Sequence, residues 1–283
     1  MKYLITGATG DVGSRVAQTL IDRGERPRLY VRDAEKARAR FGDRVEICAG
    51  DLGDAVGLRS ALEGVDAFFL LNSGPEIPRR DGLATTAAKK AGVKHLVKLS
   101  SFDVNQHLAI GAWHEKGEEA IRGSGVPFTF LQPTGFMSNL LAWARSIRAD
   151  GVVRSSTGVG RRAFIHSDDI AAVAVEALTT RGHVGESLQL TGPEAVTFGE
   201  VAARIGSATG KAVRFEAISD DEARQRYAAT GAPEEETEAH VALWRAIREG
   251  RLAAVTDTVQ RVLDRKPIGL DEWIAENVAA FQG

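Results

Sequence analysis

Short apolar runs alternate with amphipathic stretches over the first 133 residues of the chain. The runs have the length and composition of strands, and the stretches between them have the periodicity of helices. We predict strands over 2–6, 27–31, 45–49, 67–71, 95–99 and 128–132, and helices over 12–23, 34–41, 55–62, 77–91 and 113–124. Residues 67–71 read AFFLL, as expected of a strand buried on both faces. The alternation predicts an α/β fold with a doubly wound parallel sheet.

The regular alternation of predicted strands and helices changes after residue 133. We predict further helices over 138–150, 167–178, 197–209 and 220–249. The acidic run at 234–236 is best explained as a solvated helix start, because carboxylates favour the first turn of a helix. No repeat or low-complexity linker separates the two parts of the chain. We therefore predict a core over 1–133 and a smaller α/β lobe over 134–283 that packs on it, with an approximate, interleaved boundary.

Composition narrows the possible partners and compartments. The 283 residues carry a net charge of -2, which gives no reason to expect nucleic acid or an anionic membrane as partner. The single cysteine, Cys48, excludes an internal disulfide and a thiolate-rich metal site, and we interpret it as a small core residue. No signal-peptide pattern begins the chain, and no apolar run approaches the ~20 residues needed to span a bilayer. We expect a cytoplasmic protein without a membrane partner.

Three glycines mark the junction between the first predicted strand and the first predicted helix. Residues 4–13 read LITGATGDVG, which places Gly7, Gly10 and Gly13 in a G-x-x-G-x-x-G spacing. Such a loop permits a tight turn, close approach of a pyrophosphate to the backbone, and close packing of helix on strand. The helix N-terminus then offers free N–H groups to the phosphates. A dinucleotide-binding loop is the favoured interpretation, and a glycine-rich turn without a ligand is the alternative.

The end of the second predicted strand indicates which dinucleotide binds. Arg32 stands where an acidic residue would bind the ribose 2′-hydroxyl, and a guanidinium there suits a 2′-phosphate. Lys36, one helical turn further on, adds positive charge. Asp33 either caps the next helix or binds a ribose, and Asp51 either lies against the adenine or caps a helix. NADP(H) is therefore preferred, with NAD(H) as the alternative.

The chain resembles the NmrA-like group of atypical short-chain dehydrogenases over nearly its whole length. The motifs that carry the resemblance lie at 7–13, 50–52, 114–121, 124–133, 164–171 and 190–194. The resemblance implies a Rossmann fold. The group contains NADPH-dependent quinone and azo-dye reductases, triphenylmethane-dye reductases and redox-sensing regulators. Together with the loop, it implies a set of cofactor contacts at Gly7, Thr9, Gly10, Asp11, Val12, Gly13, Arg32, Lys36, Asp51, Leu52, Leu71, Asn72, Ser73, Ser100, His114, Pro133, Thr134 and Phe136.

The Tyr/Lys pair that most short-chain dehydrogenases use is missing at the positions that the resemblance aligns. The chain has three tyrosines, Tyr3, Tyr30 and Tyr227. The alignment places Ile110 at the tyrosine position, His114 at the lysine position and Phe102 at the serine position. A ketone becomes a basic alkoxide and needs an acid, whereas a quinone becomes a far less basic phenolate. The site is therefore suited to acceptors that are already electrophilic.

His114 is the candidate catalytic residue, and three roles are open to it. It could hold the nicotinamide ribose, as the lysine does in relatives, or donate a proton near neutral pH. It could also be a packed histidine with no ligand. Glu118, one turn along the same helix face, is a candidate partner for it.

Several side chains are candidates for the substrate pocket. The loop over 131–139 is expected at the carboxyl end of the sheet, opposite the loop over 71–74. The candidates are Phe102, Phe136, Met137, Trp143 and His166, and each is also a plausible core residue. No His, Asp or Glu cluster has the spacing of a metal site.

The sequence thus predicts an NADPH-dependent reductase that transfers a hydride to a quinone, an azo dye or a similar conjugated acceptor. The alternative is a regulator that senses NADP(H) without turnover. A homodimer is compatible with the sequence, which does not determine the oligomeric state.

Overall fold

The computed structural model describes residues 1–282 and divides the chain into two compact units. Unit 1 contains residues 1–133 and 167–189, and unit 2 contains residues 134–166 and the chain from Leu190 onward. The strands are β1 (Tyr3–Thr6), β2 (Arg28–Val31), β3 (Glu46–Ala49), β4 (Ala67–Leu70), β5 (His95–Leu99), β6 (Phe128–Pro133), β7 (Val152–Ser155), β8 (Arg161–Arg162), β9 (Ser187–Leu190), β10 (Val196–Thr197) and β11 (Arg214–Ala217). The helices are α1 (Asp11–Asp22), α2 (Ala34–Phe41), α3 (Ala55–Ala61), α4 (Ile77–Ala91), α5 (Ala109–Ser124), α6 (Ala144–Asp150), α7 (Ser167–Thr179), α8 (Phe198–Thr209), α9 (Asp220–Ala228), α10 (Glu234–Arg248), α11 (Thr258–Leu263) and α12 (Leu270–Gln282).

Unit 1 is built on a seven-stranded sheet with the order β3-β2-β1-β4-β5-β6-β9. Each neighbouring pair from β3 to β6 is parallel, and every predicted strand of the first half lies within one residue of an observed one. The predicted α/β, doubly wound fold is confirmed. Strand order reverses between β1 and β4, and such a switch point opens a crevice at the carboxyl ends of the strands.

The core of unit 1 consists of apolar side chains from both faces of its sheet. Leu4, Phe68, Phe69 and Phe130 are completely buried, in agreement with strands that are covered on both sides. Cys48 is half-buried and packs against this core, as a small apolar residue would.

Unit 2 has two small sheets, in which β7 pairs with β11 in parallel and β8 pairs with β10 antiparallel. Its helix α8 begins with a capping box, in which Thr197 accepts from the Glu200 N–H and Glu200 accepts from the Thr197 N–H. Helix α12 packs against α8. None of the helices formed by residues 1–282 is long and apolar enough to cross a bilayer.

Two predicted helices of unit 2 differ from the observed structure. The segment 138–150 is a 3₁₀ helix over Met137–Trp143 followed by α6, and the Met137 N–H at its start donates to Ile165 rather than to an α-helical partner. The segment 220–249 is two helices, because Gly231 adopts a positive φ and Pro233 then caps α10. The acidic run at 234–236 forms the first turn of α10, as predicted.

Candidate functional site

The glycine loop forms a tight turn between β1 and α1. Gly7 has a φ of 66°, a conformation that favours glycine, and its carbonyl accepts the Gly10 N–H at 2.9 Å. A Cβ on Gly13 would lie 2.3 Å from the Gly7 carbonyl oxygen, so only glycine permits this approach of helix to loop. No side chain caps the N-terminus of α1 at Gly10. The first N–H groups of a long helix therefore face the carboxyl edge of the sheet, which suits an anion.

A cavity of about 170 Å³ lies beside this loop, and we call it the crevice. It is formed entirely by unit 1. The predicted cofactor residues that line it are Gly7, Thr9, Arg32, Asp51, Leu52, Leu71, Asn72 and Ser73. Gly50, from the motif at 50–52, also lines it, and sequence reasoning missed the lining residues Thr6, Tyr30, Val31 and Arg80. The crevice thus brings together the ends of β1, β2, β3 and β4.

The acidic residues near Arg32 have separate structural roles. Asp33 accepts the Lys36 N–H at 2.8 Å and caps α2, which is one of its two predicted roles. Asp54, not Asp51, caps α3, so the helix-cap alternative for Asp51 is wrong. Both Arg32 and Lys36 are exposed, and Arg32 is among the residues that line the crevice.

Tyr30 explains the glycine in the motif at 50–52. A Cβ on Gly50 would lie 2.2 Å from the Tyr30 hydroxyl oxygen, and that hydroxyl donates to the Asp51 carbonyl at 3.1 Å. Burial, followed by the charges of Asp54 and Asp51, raises the pKa of Tyr30 to about 12. Tyr30 therefore stays a neutral hydrogen-bond donor that shapes the wall of the crevice.

A buried polar cluster connects β5 with α4 and α5. Lys98 Nζ lies 2.5 Å from an Asp81 carboxylate oxygen and 3.3 Å from His114 Nδ1. Asn72, which lines the crevice, lies at 3.5 Å from the other Asp81 oxygen. Burial, and then the charge of Lys98, hold the pKa of His114 well below its usual range. The sequence did not indicate Lys98 and Asp81 as functional residues, because a lysine within a strand and an aspartate within a helix belong to no recognisable motif.

Glu118 does not pair with His114, and that prediction is wrong. Its carboxylate accepts instead from the Ser100 hydroxyl at 2.5 Å, from Gln132 at 2.8 Å and from Arg122 at 3.1 Å. Glu118 is completely buried, so these donors replace the water that it loses. Ser100 is therefore tied to this network.

Other predicted cofactor residues lie outside the lining of the crevice. Asp11 pairs with Arg15 and accepts from Ser167, and Val12 is buried. Both residues can therefore contact a phosphate through their backbone N–H groups at the start of α1, rather than through their side chains. Pro133 ends β6 in unit 1. Thr134 belongs to unit 2, where its N–H donates to Leu190.

Unit 2 contains a cavity of about 580 Å³ that we call the aromatic cavity. Its aromatic lining consists of Trp143, Phe164, Phe198, Tyr227, His240 and Trp244. Arg154, Arg162 and Arg226 also line it, and none of the described residues that line it is acidic. A cavity of this size with flat apolar walls and a few polar groups is typical of small-molecule sites.

Tyr227 and His240 form a stacked, hydrogen-bonded pair in this cavity. Their ring centroids lie 4.3 Å apart, and the tyrosine oxygen is 3.2 Å from His240 Nε2. His240 Nδ1 lies 2.9 Å from the Glu236 carbonyl, which can only accept. In the neutral ring, Nε2 therefore accepts from the Tyr227 hydroxyl. Burial raises the pKa of Tyr227.

The candidate substrate residues are dispersed. Trp143 lines the aromatic cavity, whereas Phe136, Met137 and His166 do not. Met137 is buried, and His166, also buried, lies 3.2 Å from a Glu276 carboxylate oxygen. Phe102 is buried in unit 1, at the start of a 3₁₀ helix over Phe102–Gln106. Among residues 1–282, no His, Cys, Asp or Glu side chains are grouped as metal ligands.

Comparison with known proteins shows which family the chain matches and which proteins it resembles. The sequence profile of the NAD(P)H-binding family matches residues 7–181. The chain is 42% identical to a (4-alkanoyl-5-oxo-2,5-dihydrofuran-3-yl)methyl phosphate reductase of Streptomyces griseus, over 98% of both chains. It is 37% identical to an NAD(P)H azoreductase of Xenophilus azovorans, again over 98% of both. The solved NADPH complex of an NADPH-dependent quinone oxidoreductase from Escherichia coli superposes with a TM-score of 0.89 at 26% identity, covering 98% of this chain and 99% of that one.

Proposed function

This chain belongs to the NAD(P)H-binding family, among reductases of the atypical short-chain dehydrogenase type, and on that premise we propose that it is an NADPH-dependent reductase of small conjugated acceptors. The similar proteins act on an unsaturated lactone phosphate, on azo compounds and on quinones, by their names. These substrates share a conjugated, electron-poor system. The same chemistry is proposed for this chain.

The observation that carries the proposal is the loop at the crevice. Gly7 and Gly13 permit the tight turn, because a Cβ on Gly7 would meet Leu71 and one on Gly13 would meet the Gly7 carbonyl, and the uncapped start of α1 supplies N–H donors. Arg32 offers a guanidinium for a 2′-phosphate, and Asp33 is already engaged as the cap of α2. The residues of the crevice therefore fit NADPH. When bound, the cofactor supplies the hydride, and the protein positions it.

We assign the acceptor to the aromatic cavity of unit 2. Its flat walls, which include Trp143, Phe198 and Trp244, suit a planar conjugated molecule. Cofactor binding is assigned to unit 1.

The proposal includes reduction without a Tyr/Lys pair. The tyrosine of the aromatic cavity, Tyr227, directs its hydrogen bond to His240, and its pKa is raised by burial. His114 has a pKa well below its usual range. Its ring is therefore neutral at about pH 7 and is poorly suited to act as a general acid. Acceptors whose reduced forms are weakly basic, or need no proton at the reacting carbon, fit such surroundings best.

Arg32→Ala should weaken the binding of NADPH far more than that of NADH. The change removes a charge-assisted contact with the 2′-phosphate, worth about 1.5–3 kcal/mol, or roughly 10- to 150-fold in affinity. Calorimetric titration with both cofactors measures this. Arg38→Ala is the matched control, since Arg38 is an exposed arginine of α2 that pairs with Glu35. Equal losses for NADPH and NADH in Arg32→Ala would contradict the assignment.

The wild-type protein should oxidise NADPH faster with a quinone or an azo dye than with a simple aliphatic ketone. A missing oxyanion stabiliser costs about 10²–10³ in rate elsewhere, and we expect a preference of that order. The decrease in NADPH absorbance measures it. Tyr227→Phe should change the quinone rate little.

One result would contradict this preference, and another would contradict the reductase activity. Efficient reduction of the ketone that is lost in Tyr227→Phe would identify Tyr227 as the acid. Binding of NADPH with no oxidation by any conjugated acceptor would indicate a nucleotide sensor.

A further inference from the structure

Lys98 is a charged residue in the middle of a buried strand. It lies in β5, and both Lys98 and Asp81 are completely buried. Asp81 reaches Lys98 from α4, between α4 and α5, because Gly117 leaves room for it. A Cβ on Gly117 would lie 2.2 Å from the Asp81 carboxylate oxygen. Strand β5 and helices α4 and α5 together form the space that this ion pair occupies.

The hydrogen bonds of this ion pair determine the protonation of His114. The ammonium of Lys98 has only donors, and the His114 ring nitrogen within hydrogen-bond distance of it is Nδ1, at 3.3 Å. Nδ1 must therefore accept, which requires a neutral ring with its proton on Nε2. Among residues 1–282, no hydrogen-bond partner is present for Nε2, and His114 keeps 8% of its surface exposed.

We propose that the Lys98–Asp81 ion pair is a positioning device that fixes His114 as the neutral Nε2–H tautomer, a permanent hydrogen-bond donor to a hydroxyl oxygen of the cofactor's nicotinamide ribose. The part that concerns the ribose rests on the proposed function. Lys98 and Asp81 act only through His114. Of the three roles that the sequence leaves open for His114, this one is cofactor binding.

The charges around His114 agree with a fixed neutral ring. Lys98 faces it from β5 and Asp81 lies behind Lys98 on α4. Glu118, one turn along α5, is held by Ser100, Gln132 and Arg122. Lys98 contacts both the imidazole and the Asp81 carboxylate, and its positive charge opposes protonation of the ring.

The tautomer can be measured on the cofactor-free wild-type protein. We expect ¹⁵N NMR of the histidine rings to show His114 as the Nε2–H form without titration between about pH 5.5 and 8. Comparison with His114→Gln assigns its signals. His95 is the internal control, since it is also buried and burial lowers its pKa to about 4. A proton on Nδ1, or a charged ring within this range, would overturn the proposal.

Lys98→Met tests whether the ion pair sets this state. The carboxylate of Asp81 then remains in the cluster without the charge of Lys98, so His114 should gain a titration near or above its ordinary pKa of about 6.5. The double variant Lys98→Met/Asp81→Asn removes both charges and should abolish that titration. A His114 ring that titrates identically in wild type and Lys98→Met would overturn the role of Lys98.

NADPH binding separates this inference from the proposed function. His114→Gln retains a donor and should bind NADPH nearly as well as wild type, whereas His114→Phe should bind about 5- to 10-fold more weakly, as expected for one lost hydrogen bond. Unchanged affinity in His114→Phe would overturn the contact with the ribose. Failure of the wild type to bind NADPH at all would overturn the proposed function, while the tautomer in the free protein would still be measured.

Discussion

Gly13→Ala is expected to weaken NADPH binding by about 100-fold or more, the scale on which a displacement of about 1 Å is felt at a preorganised site. The new Cβ would lie 2.3 Å from the Gly7 carbonyl oxygen and 2.5 Å from the Gly7 carbonyl carbon. Both are backbone atoms that cannot rotate away. The same carbonyl accepts the Gly10 N–H, so its displacement opens the turn. The N–H groups that face the phosphates then lose their arrangement.

Calorimetric titration with NADPH measures this loss, and a thermal melt of the free protein shows whether the fold survives. Gly82→Ala is the matched control, because Gly82 lies in α4 and a Cβ there would meet no atom within 4 Å. That variant should bind NADPH as wild type does. Normal binding by Gly13→Ala would mean that the loop does not hold the pyrophosphate.

Lys98→Met is expected to lower the free energy of unfolding by about 3–5 kcal/mol at about pH 8, where the His114 ring is mostly neutral and the Asp81 carboxylate is left buried and unpaired. Lys98 and Asp81 lie 2.5 Å apart and have no exposed surface. The remaining contact, from Asn72 at 3.5 Å, is too long to replace an ammonium. Lys98→Met/Asp81→Asn should be more stable than the single variant, since no charge is then left without a partner.

Denaturant unfolding of the variants measures this difference. Lys94→Met is the matched control, since Lys94 pairs with Asp66 at 2.7 Å but is 61% exposed. Exposed pairs contribute about 0–1 kcal/mol, so this variant should remain close to wild type. Equal losses in Lys98→Met and Lys94→Met would show that the buried pair contributes no more than a surface pair.

The sequence predicts the strands and the glycine turn of unit 1 well, because these elements depend on local sequence patterns. Apolar runs locate the strands, and the glycines at 7–13 locate the turn, since their roles depend on neighbouring residues alone. The predicted position of Arg32 beside the crevice follows from the same local logic.

The cluster around His114 could not be predicted, because it depends on distant residues. Lys98 interrupts an apolar strand, and its partner Asp81 lies on another element, seventeen residues earlier in the chain. The spacing of His114 and Glu118 suggests a pair, yet each has a better partner on a neighbouring element. The walls of the aromatic cavity likewise come from separated segments, as Trp143 and Trp244 illustrate.

The discontinuity of unit 1 has a consequence for its biosynthesis. Residues 167–189 supply α7, which packs on α1, and most of β9, which covers the edge of the sheet at β6. Arg15 and Asp168 join α1 to α7 by an ion pair. A nascent chain that has just completed β6 therefore exposes one face of α1 and a strand edge, which is a template for aggregation. At about 5–20 residues per second, a ribosome needs roughly 3 to 11 seconds to deliver the missing segment. During that interval the face of α1 that α7 covers and the strand edge at β6 lack their native contacts.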